Sequence, residues 1–481
     1  MKTGMMARFC LLFLLFSLTS CILHLTSDIA DALEVKFGGE VRLRGFYTNN
    51  LSDARNRDGD LCPGPDGILD ETCDDEEAFS DARFRLKMTA AEGIATGVAV
   101  VDFFSQEGRT VAALSRTATV ETGNWRLGGE GFGGSLDTLF LREGYLRASF
   151  PWLNVLLGRQ RIQLGHSLVL DDTADALVLA VPAGPASLTF GDLKLVESDS
   201  DNTGGGSDTD TYFSHLAWVP TTDVVTTLFL IYLRDPGPSL VFNGVCEDPE
   251  ITPPTFQSCT LSDLGDDQMR LYILGWTLDK QSGLFRFGLE ADLLNGSIST
   301  DETTGLNPTG EDIKLRGVNG LVQMSLIWPS LQIGLTGVYA SGQGSEDSPP
   351  AGGKKLNINA LSPNFVLGNI LINNETESDR DGGNIGGLTA VKLALGGRAG
   401  QKLQAEAAVL WAQLTERPAP GVDRDLGWEF DLNGIYPLDD HLIWTSGFGI
   451  LLTGEGWQGI YGDPDATNHQ IKLATKLVYT F

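Results

Sequence analysis

Apolar and polar side chains alternate, residue by residue, through runs of roughly 10 to 14 positions that recur from Leu33 to the last residue. Phe84, Leu86 and Met88 alternate with Arg83, Arg85 and Lys87; Val41 and Leu43 alternate with Arg42 and Arg44. Near the end, Ile471, Leu473, Leu477, Tyr479 and Phe481 take one parity, and Lys472 and Lys476 take the other. A period of two sends each set to one face of a strand, whereas a helix would scatter both sets around its circumference. Beyond the N-terminus no unbroken apolar stretch approaches the roughly 20 residues that a membrane-spanning helix requires. Strands with one apolar face have two ways to cover it. Either a second layer packs on it, as in a sandwich or propeller, or the sheet closes into a barrel whose outside meets lipid.

The connections between runs distinguish these two. Short turns at Pro151-Trp152, Pro182-Ala183-Gly184-Pro185, Pro220-Thr221-Thr222-Asp223, Gln281-Ser282-Gly283, Trp328-Pro329-Ser330 and Leu438-Asp439-Asp440-His441 alternate with long polar loops. The loops cover about 51–78, 105–135, 197–210, 235–267, 295–312, 342–383, 415–425 and 453–468. Tight turns on one side and long loops on the other are the layout of an outer-membrane barrel. Aromatic residues cluster where runs meet connections, among them Tyr47, Phe150, Trp152, Trp218, Trp276, Trp328, Trp411, Tyr436, Trp444 and Tyr461, as membrane-interface girdles do. The expected fold is all-β, a transmembrane antiparallel up-and-down β-barrel of about 18 strands (16 to 18) over residues 33–481.

Residues 1–32 read as a secretory signal peptide. Lys2 and Arg8 precede the apolar run Phe9 to Leu18, and Ala30-Asp31-Ala32 has the form of a cleavage site. A competing site, Leu18-Thr19-Ser20 before Cys21, would leave a lipid on Cys21. Either route takes the chain out of the cytoplasm, and an outer-membrane location follows from the barrel. The expected contacts are outer-membrane lipid and lipopolysaccharide, together with the barrel assembly machinery, whose terminal signal the strand ending in Phe481 resembles.

Charge excludes one class outright. With 63 acidic and 34 basic residues the net charge is -29, the opposite of what a nucleic-acid binder requires. Four cysteines follow the leader in two pairs close in sequence, Cys62 with Cys73 and Cys246 with Cys259, and export to an oxidising compartment predicts two local disulfides. Asp53 to Asp81 holds eleven acids and two arginines. Within it Asp58, Asp60, Asp66 and Asp70, spaced by glycine turns around the first cysteine pair, make a candidate oxygen-ligand set for Ca2+, although the spacing is not that of an EF-hand. The other reading of this stretch is a solvated acidic loop that sorts ions at the mouth.

In a barrel of this size the polar parity lines water. In the first strands it is rich in cations: Arg42, Arg44, Arg83, Arg85, Lys87, Arg142, Arg147, Arg159 and Arg161. Lys194, Arg234, Arg270, Arg286, Lys314, Arg316, Lys392, Lys472 and Lys476 continue it more sparsely. Arginine forks pair bidentately with carboxylate or phosphate, so such a wall favours an anion path. Pairing with Glu40, Asp102, Glu143, Glu290 and Asp292 would instead fill the lumen with neutral ion pairs. His166, His215, His441 and His469 have no nucleophile or carboxylate partner in a recognisable spacing, so no enzyme activity is expected.

Leu157-Gly158-Arg159-Gln160-Arg161-Ile162, followed by Gly165, Leu168-Val169 and Asp175-Ala176-Leu177, resembles the Gly-Arg-Gln strand and its successor in the alginate-export outer-membrane porins. Asn384-Ile385-Gly386-Gly387-Leu388, Leu426-Gly427-Trp428-Glu429-Phe430-Asp431, Gly447-Phe448-Gly449 and the final strand are similar too. The resemblance implies an eighteen-stranded monomeric barrel with an electropositive lumen for an anionic polysaccharide. Arg159 and Arg161 then fit the lumen by parity, while Gln160 falls on the apolar face. The two cysteine pairs and the acidic first loop depart from that family. The expectation is a porin passing anionic solutes, with loop 342–383 or 105–135 folded inward as a constriction. The alternative is a sleeve around a periplasmic or multihaem-cytochrome partner; with no Cys-x-x-Cys-His, the chain attaches no such haem itself.

Overall fold

The computed structural model describes residues 34–49, 62–63, 69–70, 77–107, 138–196, 209–235, 244–246, 257–259, 268–299, 312–342, 355–357, 365–371, 387–400, 402–417, 423–456 and 469–481. The expected signal peptide at 1–32, with the competing Cys21 site, therefore lies outside the described residues, as do Asp58, Asp60, Asp66 and Cys73. Most of loop 105–135 and the aromatic Tyr461 lie outside them as well.

Strands β1 (Glu34–Asn49), β4 (Glu77–Glu92), β5 (Ala95–Glu107), β6 (Thr138–Ser149), β7 (Asn154–Leu164), β8 (Leu170–Ala183), β9 (Ala186–Val196), β10 (Thr209–Thr221) and β11 (Val224–Asp235) form half of the wall. The other half is β14 (Gln268–Ser282), β15 (Phe285–Ser299), β16 (Ile313–Ile327), β17 (Leu331–Ala340), β19 (Leu388–Ala399), β20 (Leu403–Gln413), β21 (Asp425–Pro437), β22 (Leu442–Thr453) and β23 (Gln470–Thr480). Each pairs antiparallel with its neighbours in the chain, and β1 closes on β23 through Glu40 opposite Thr480 to Asn49 opposite Ile471. The result is a closed 18-stranded antiparallel barrel. Among the described residues five short strands lie in the long connections. They are β2 (Cys62–Pro63) paired with β3 (Leu69–Asp70), β12 (Gly244–Cys246) paired with β13 (Gln257–Cys259), and β18 (Lys355–Asn357) lying parallel to β16. In the β12–β13 ladder Cys246 faces Gln257 and Cys259 faces Gly244, so the two cysteines sit on adjacent strands two positions out of register.

Parity decides which way each side chain points. On β1 and β4, Phe37, Leu43, Phe84 and Met88 are exposed, while Asp81 on the opposite parity is buried. On β14 and β15, Leu274, Trp276 and Leu293 are exposed, whereas Leu271, Ile273 and Leu294 are almost wholly covered. An apolar outside and a filled inside are what lipid around and chain within a barrel produce. Exposed Trp152, Trp218 and Trp444 lie towards the short-turn end, and exposed Tyr212, Tyr272 and Trp428 towards the long-loop end. Among the described residues two segments of the chain fold into the inside and cover it.

Candidate functional site: a constricted lumen

The first inward segment is the tip of the β7–β8 hairpin. β6 pairs with β7 only from Ser149 opposite Asn154 to Gly144 opposite Arg159, and β8 pairs with β9 only from Ala183 opposite Ala186 to Asp175 opposite Lys194. The two hairpin strands go on pairing with each other to Leu164 opposite Leu170. From Gln160 to Ala174 the two strands therefore pair only with each other and have left the wall. Gly158 marks the departure. It has φ +119°, and a Cβ there would drive into the carbonyl oxygen of Gly144, so only glycine fits.

The tip, Gly165–Val169, crosses to strands well round the barrel. The backbone N–H of His166 donates to Glu290 Oε2 on β15 at 2.5 Å, and His166 Nε2 lies 3.0 Å from Asp279 Oδ1 on β14. His166 sits on the connection rather than in a spanning strand. Hydrogen bonds to Asp279 and Glu290 hold its pKa up at about 9, against the partial burial that opposes it. Gly165 packs so closely on the Glu290 carboxylate that a side chain there would clash.

Leaving the wall reverses the meaning of parity. Ile162, Leu164, Leu170 and Ala174, which would face the lumen in a wall strand, pack on Phe213, Phe229, Ile231, Met269, Leu271 and Ile273 of the neighbouring inner wall, β10, β11 and β14, as one apolar core. The other parity, which faces lipid at Leu157 and Leu177, carries Arg161 and Asp171 in the freed part of the hairpin and Arg159 and Asp175 at its base. The electrostatic neighbours of the Arg161 and Asp171 side chains include Glu143 and Arg142 on β6, so this face turns to the wall of β4 to β6. Gln160, on the apolar side, is buried and donates from Nε2 to the carbonyls of Gly158 and Ala176 at 3.3 and 3.4 Å. It satisfies backbone groups at the point of departure, which accounts for an amide on an apolar parity.

The second segment is Phe365–Leu371, within the loop expected to fold inward. Glu429 on β21, fully buried, accepts the backbone N–H groups of Asn369, Ile370 and Leu371 at 2.6, 2.7 and 2.7 Å. Lys392 on β19 donates to Leu367 O at 2.8 Å, and Asn369 Nδ2 donates to Asn433 Oδ1 at 3.1 Å and to Phe448 O at 3.0 Å. Phe365, Leu367, Ile370 and Leu371 join an apolar core with Leu410, Leu426 and Leu451, and Leu168 of the hairpin tip belongs to the same core. The two inward segments thus support each other. Below them, towards the short turns, Arg286, Lys392, Asp279, Glu406, Gln323 and Thr336 help line a cavity of about 310 Å³.

Across from the hairpin stands the cationic wall expected from β1, β4 and β6. Register places Arg44 opposite Asp81, Arg42 opposite Arg83, and Glu40 opposite Arg85. Arg44 binds Asp81 through Nε at 2.8 and 2.9 Å, Arg85 forks onto Asp102 at 2.6 and 2.7 Å, and Arg83 meets Glu40 at 2.5 Å. Arg42 shares Asp81 at 3.5 Å, and Arg142 reaches Asp102 only at 3.9 Å. On the hairpin Arg161 forks onto Asp171 at 2.6 and 2.7 Å, and Arg159 meets Asp175 at 3.3 Å. Lys87 lies on the same inner parity of β4. Arg147, also on that parity, is exposed near the short turns and donates to Ser149 Oγ at 3.0 Å.

Several expectations change. Glu40 and Asp102 do take arginines, but Glu290 binds the hairpin and Asp292 is buried with neither oxygen hydrogen-bonded. Lys194, Arg234, Arg270, Lys314 and Arg316 share the parity of the lipid-facing residues and do not line the lumen. The hairpin constriction and its anchor were not anticipated. The available signals were a five-residue connection on the side of the long loops and the carboxylate pairs Glu290/Asp292 and Glu429/Asp431 on inward parities with no arginine at hand. Of the calcium candidates only Asp70 is described, as a backbone partner of Cys62 in the β2–β3 ladder.

No family model and no curated protein matches the sequence. Solved structures do match. Pseudomonas aeruginosa OccK8 (OprE) aligns with TM-score 0.52 and 11% identity over 93% of this chain and 98% of that one. Pseudomonas aeruginosa OccK9 (OpdG) gives 0.52 and 12% over 93% and 98%, and Acinetobacter baumannii OccAB1 gives 0.51 and 10% over 92% and 96%. At such identity the likeness is one of fold. It is the closed barrel of outer-membrane porins, and the lipid-facing belt agrees with a place in the outer membrane.

Proposed function

We propose that the protein is a passive outer-membrane channel for anionic solutes, with acidic oligo- or polysaccharides of the alginate type as the class its resemblance suggests. The observation that carries this reading is the pairing of two arginine-bearing faces across the constriction. Arg42, Arg44, Arg83, Arg85 and Arg142 stand on the wall, and Arg159 and Arg161 stand on the hairpin. Among the described residues Asp81 serves two arginines, and Asp102 forks with Arg85 and leaves Arg142 at 3.9 Å, so around these two carboxylates the guanidinium groups outnumber the acids that meet them. A carboxylate on a passing solute exchanges with these fixed carboxylates, one fork at a time. Each contact replaces part of the solute's hydration and none is strong enough to stop flow. No covalent step is needed.

The sleeve reading is disfavoured by the filling of the lumen, since the hairpin tip and Phe365–Leu371 pack apolar side chains where a second protein would pass. The test is reversal potential in a planar bilayer under a salt gradient, with acidic oligosaccharides added as blockers. Anion preference, reduced when Arg83, Arg85, Arg159 and Arg161 are replaced by glutamine, supports the reading; a reversal potential unmoved by those substitutions refutes it.

A further inference from the structure

Arg234 on β11, Arg270 on β14, and Lys314 and Arg316 on β16 are exposed on the parity of Tyr272, Leu274 and Val318. They therefore face the membrane, at the end of the barrel that carries the long loops. Register aligns them into rows across five strands. The outermost row is Asp210, Arg234, Arg270, Ser297 and Lys314. Two residues deeper it is Tyr212, Tyr232, Tyr272, Asn295 and Arg316, and two deeper again Ser214, Leu230, Leu274, Leu293 and Val318. From rim to mid-membrane the surface thus runs from cation through aromatic and amide to aliphatic. The three tyrosine rings are stacked, with centroids 6.2 and 4.8 Å apart.

Among the described residues the charges in this patch are unbalanced. Arg234 lies directly opposite Arg270, an arrangement that destabilises a sheet unless an anion sits by it. The one carboxylate in the outer row, Asp210, is engaged by Lys194 at 2.5 Å. Among the described residues no carboxylate pairs with Arg234, Arg270, Lys314 or Arg316.

We propose that this patch binds the phosphate-bearing headgroup of an outer-leaflet glycolipid, such as lipid A, and that the lipid supplies the missing anion. Arginine forks suit phosphate bidentately. Ser297 and Asn295, between the two cationic edges, offer hydrogen bonds to sugar hydroxyls, and the tyrosines sit at the depth of an interface belt. Leu230, Leu274 and Leu293 continue the surface where acyl chains would lie. A soluble anion could use the cations but would leave the aliphatic row unused.

The experiment uses the folded full-length protein in detergent, with bisphosphorylated lipid A, its dephosphorylated form and inorganic phosphate as probes, and native mass spectrometry as the readout. The expected result is bound lipid A on the wild type, at least about tenfold weaker binding by R234Q/R270Q/K314Q/R316Q, and weak binding of the dephosphorylated form. Heat-dependent gel mobility shows that the variant is folded; should it fail to fold, the pairs R234Q/R270Q and K314Q/R316Q carry the same comparison. Equal binding by variant and wild type overturns the proposal. So does equal binding of dephosphorylated lipid, or inorganic phosphate competing as well as lipid A. R286Q, which removes an inward-facing charge, should leave lipid binding unchanged. Conductance is read separately, so a failed channel reading and a failed lipid site are told apart.

Discussion

His166 and Glu290 stand 124 positions apart in sequence, one on the tip of the inward hairpin and the other on wall strand β15, yet the backbone N–H of the first donates to the carboxylate of the second at 2.5 Å. That bond pins the hairpin tip across the lumen. A buried hydrogen bond to a charged acceptor contributes about 1.5–3 kcal/mol, and losing it leaves the tip held by packing and by the His166–Asp279 contact. Glu290→Ala should therefore raise single-channel conductance and add open-state flicker without changing heat-dependent gel mobility. A trace indistinguishable from wild type would show that the bond does not hold the constriction.

The same latch gives a pH dependence. The His166 pKa is raised from 6.5 to about 9, first by Asp279 and then by Glu290. A group whose value rises on folding stabilises the latched state fully below its unfolded value, near 6.5, and loses that contribution as pH climbs through about 9. Conductance should rise between pH 7 and 10, and the transition should vanish in Asp279→Asn with His166→Ala. A flat profile in the wild type would contradict the assignment.

Gly368 lies so close to the Glu429 carboxylate that a methyl group there must displace it. Glu429→Ala orphans three N–H groups at once, those of buried Ile370 and Leu371 and of half-buried Asn369, each buried one costing about 1–3 kcal/mol if no water replaces the oxygen. Both substitutions should release Phe365–Leu371. The check is protease access to that segment, expected to rise many-fold while the barrel itself stays resistant.

Freeing a cation should do the reverse of removing one. Asp171→Asn takes away the carboxylate on which Arg161 forks, leaving a half-exposed guanidinium on the hairpin face. Anion preference should increase, read as a shift of reversal potential opposite in sign to that of Arg161→Gln. Shifts of the same sign would place Arg161 off the conduction path.

Gly158→Ala should be the most damaging small change on β7. It combines a φ of +119° with a clash against the Gly144 carbonyl, and a backbone conformation of this kind costs roughly 1–3 kcal/mol for other residues before the clash is counted. The unfolding temperature should fall, or the heat-modifiable folded band should be lost.

Much of this was legible in the chain. The alternation of Arg83, Arg85 and Lys87 with Phe84, Leu86 and Met88 identifies both faces of β4, because a strand flanked by partners on both edges keeps one parity to lipid and one to water. The same rule misassigned Arg234, Arg270, Lys314 and Arg316, since polar side chains at the rim belong on the outside as readily as on the inside. It also left Gln160 unexplained. A parity pattern carries no sign of where a hairpin stops pairing with its neighbours, and beyond Arg159 the apolar parity faces a neighbouring wall and the polar one faces the pore.

The sequence by itself determined the repeating strand, the lipid-facing belt, the order of turns and long loops, and the cationic character of β1 to β6, because each depends on neighbours one or two residues away. Only the tertiary structure decided what closes the lumen. The anchors of the two inward segments, His166 to Glu290 and Asn369–Leu371 to Glu429, join residues brought together by closing an eighteen-stranded sheet. That closure is a property of the whole ring, and no local window of the chain contains it.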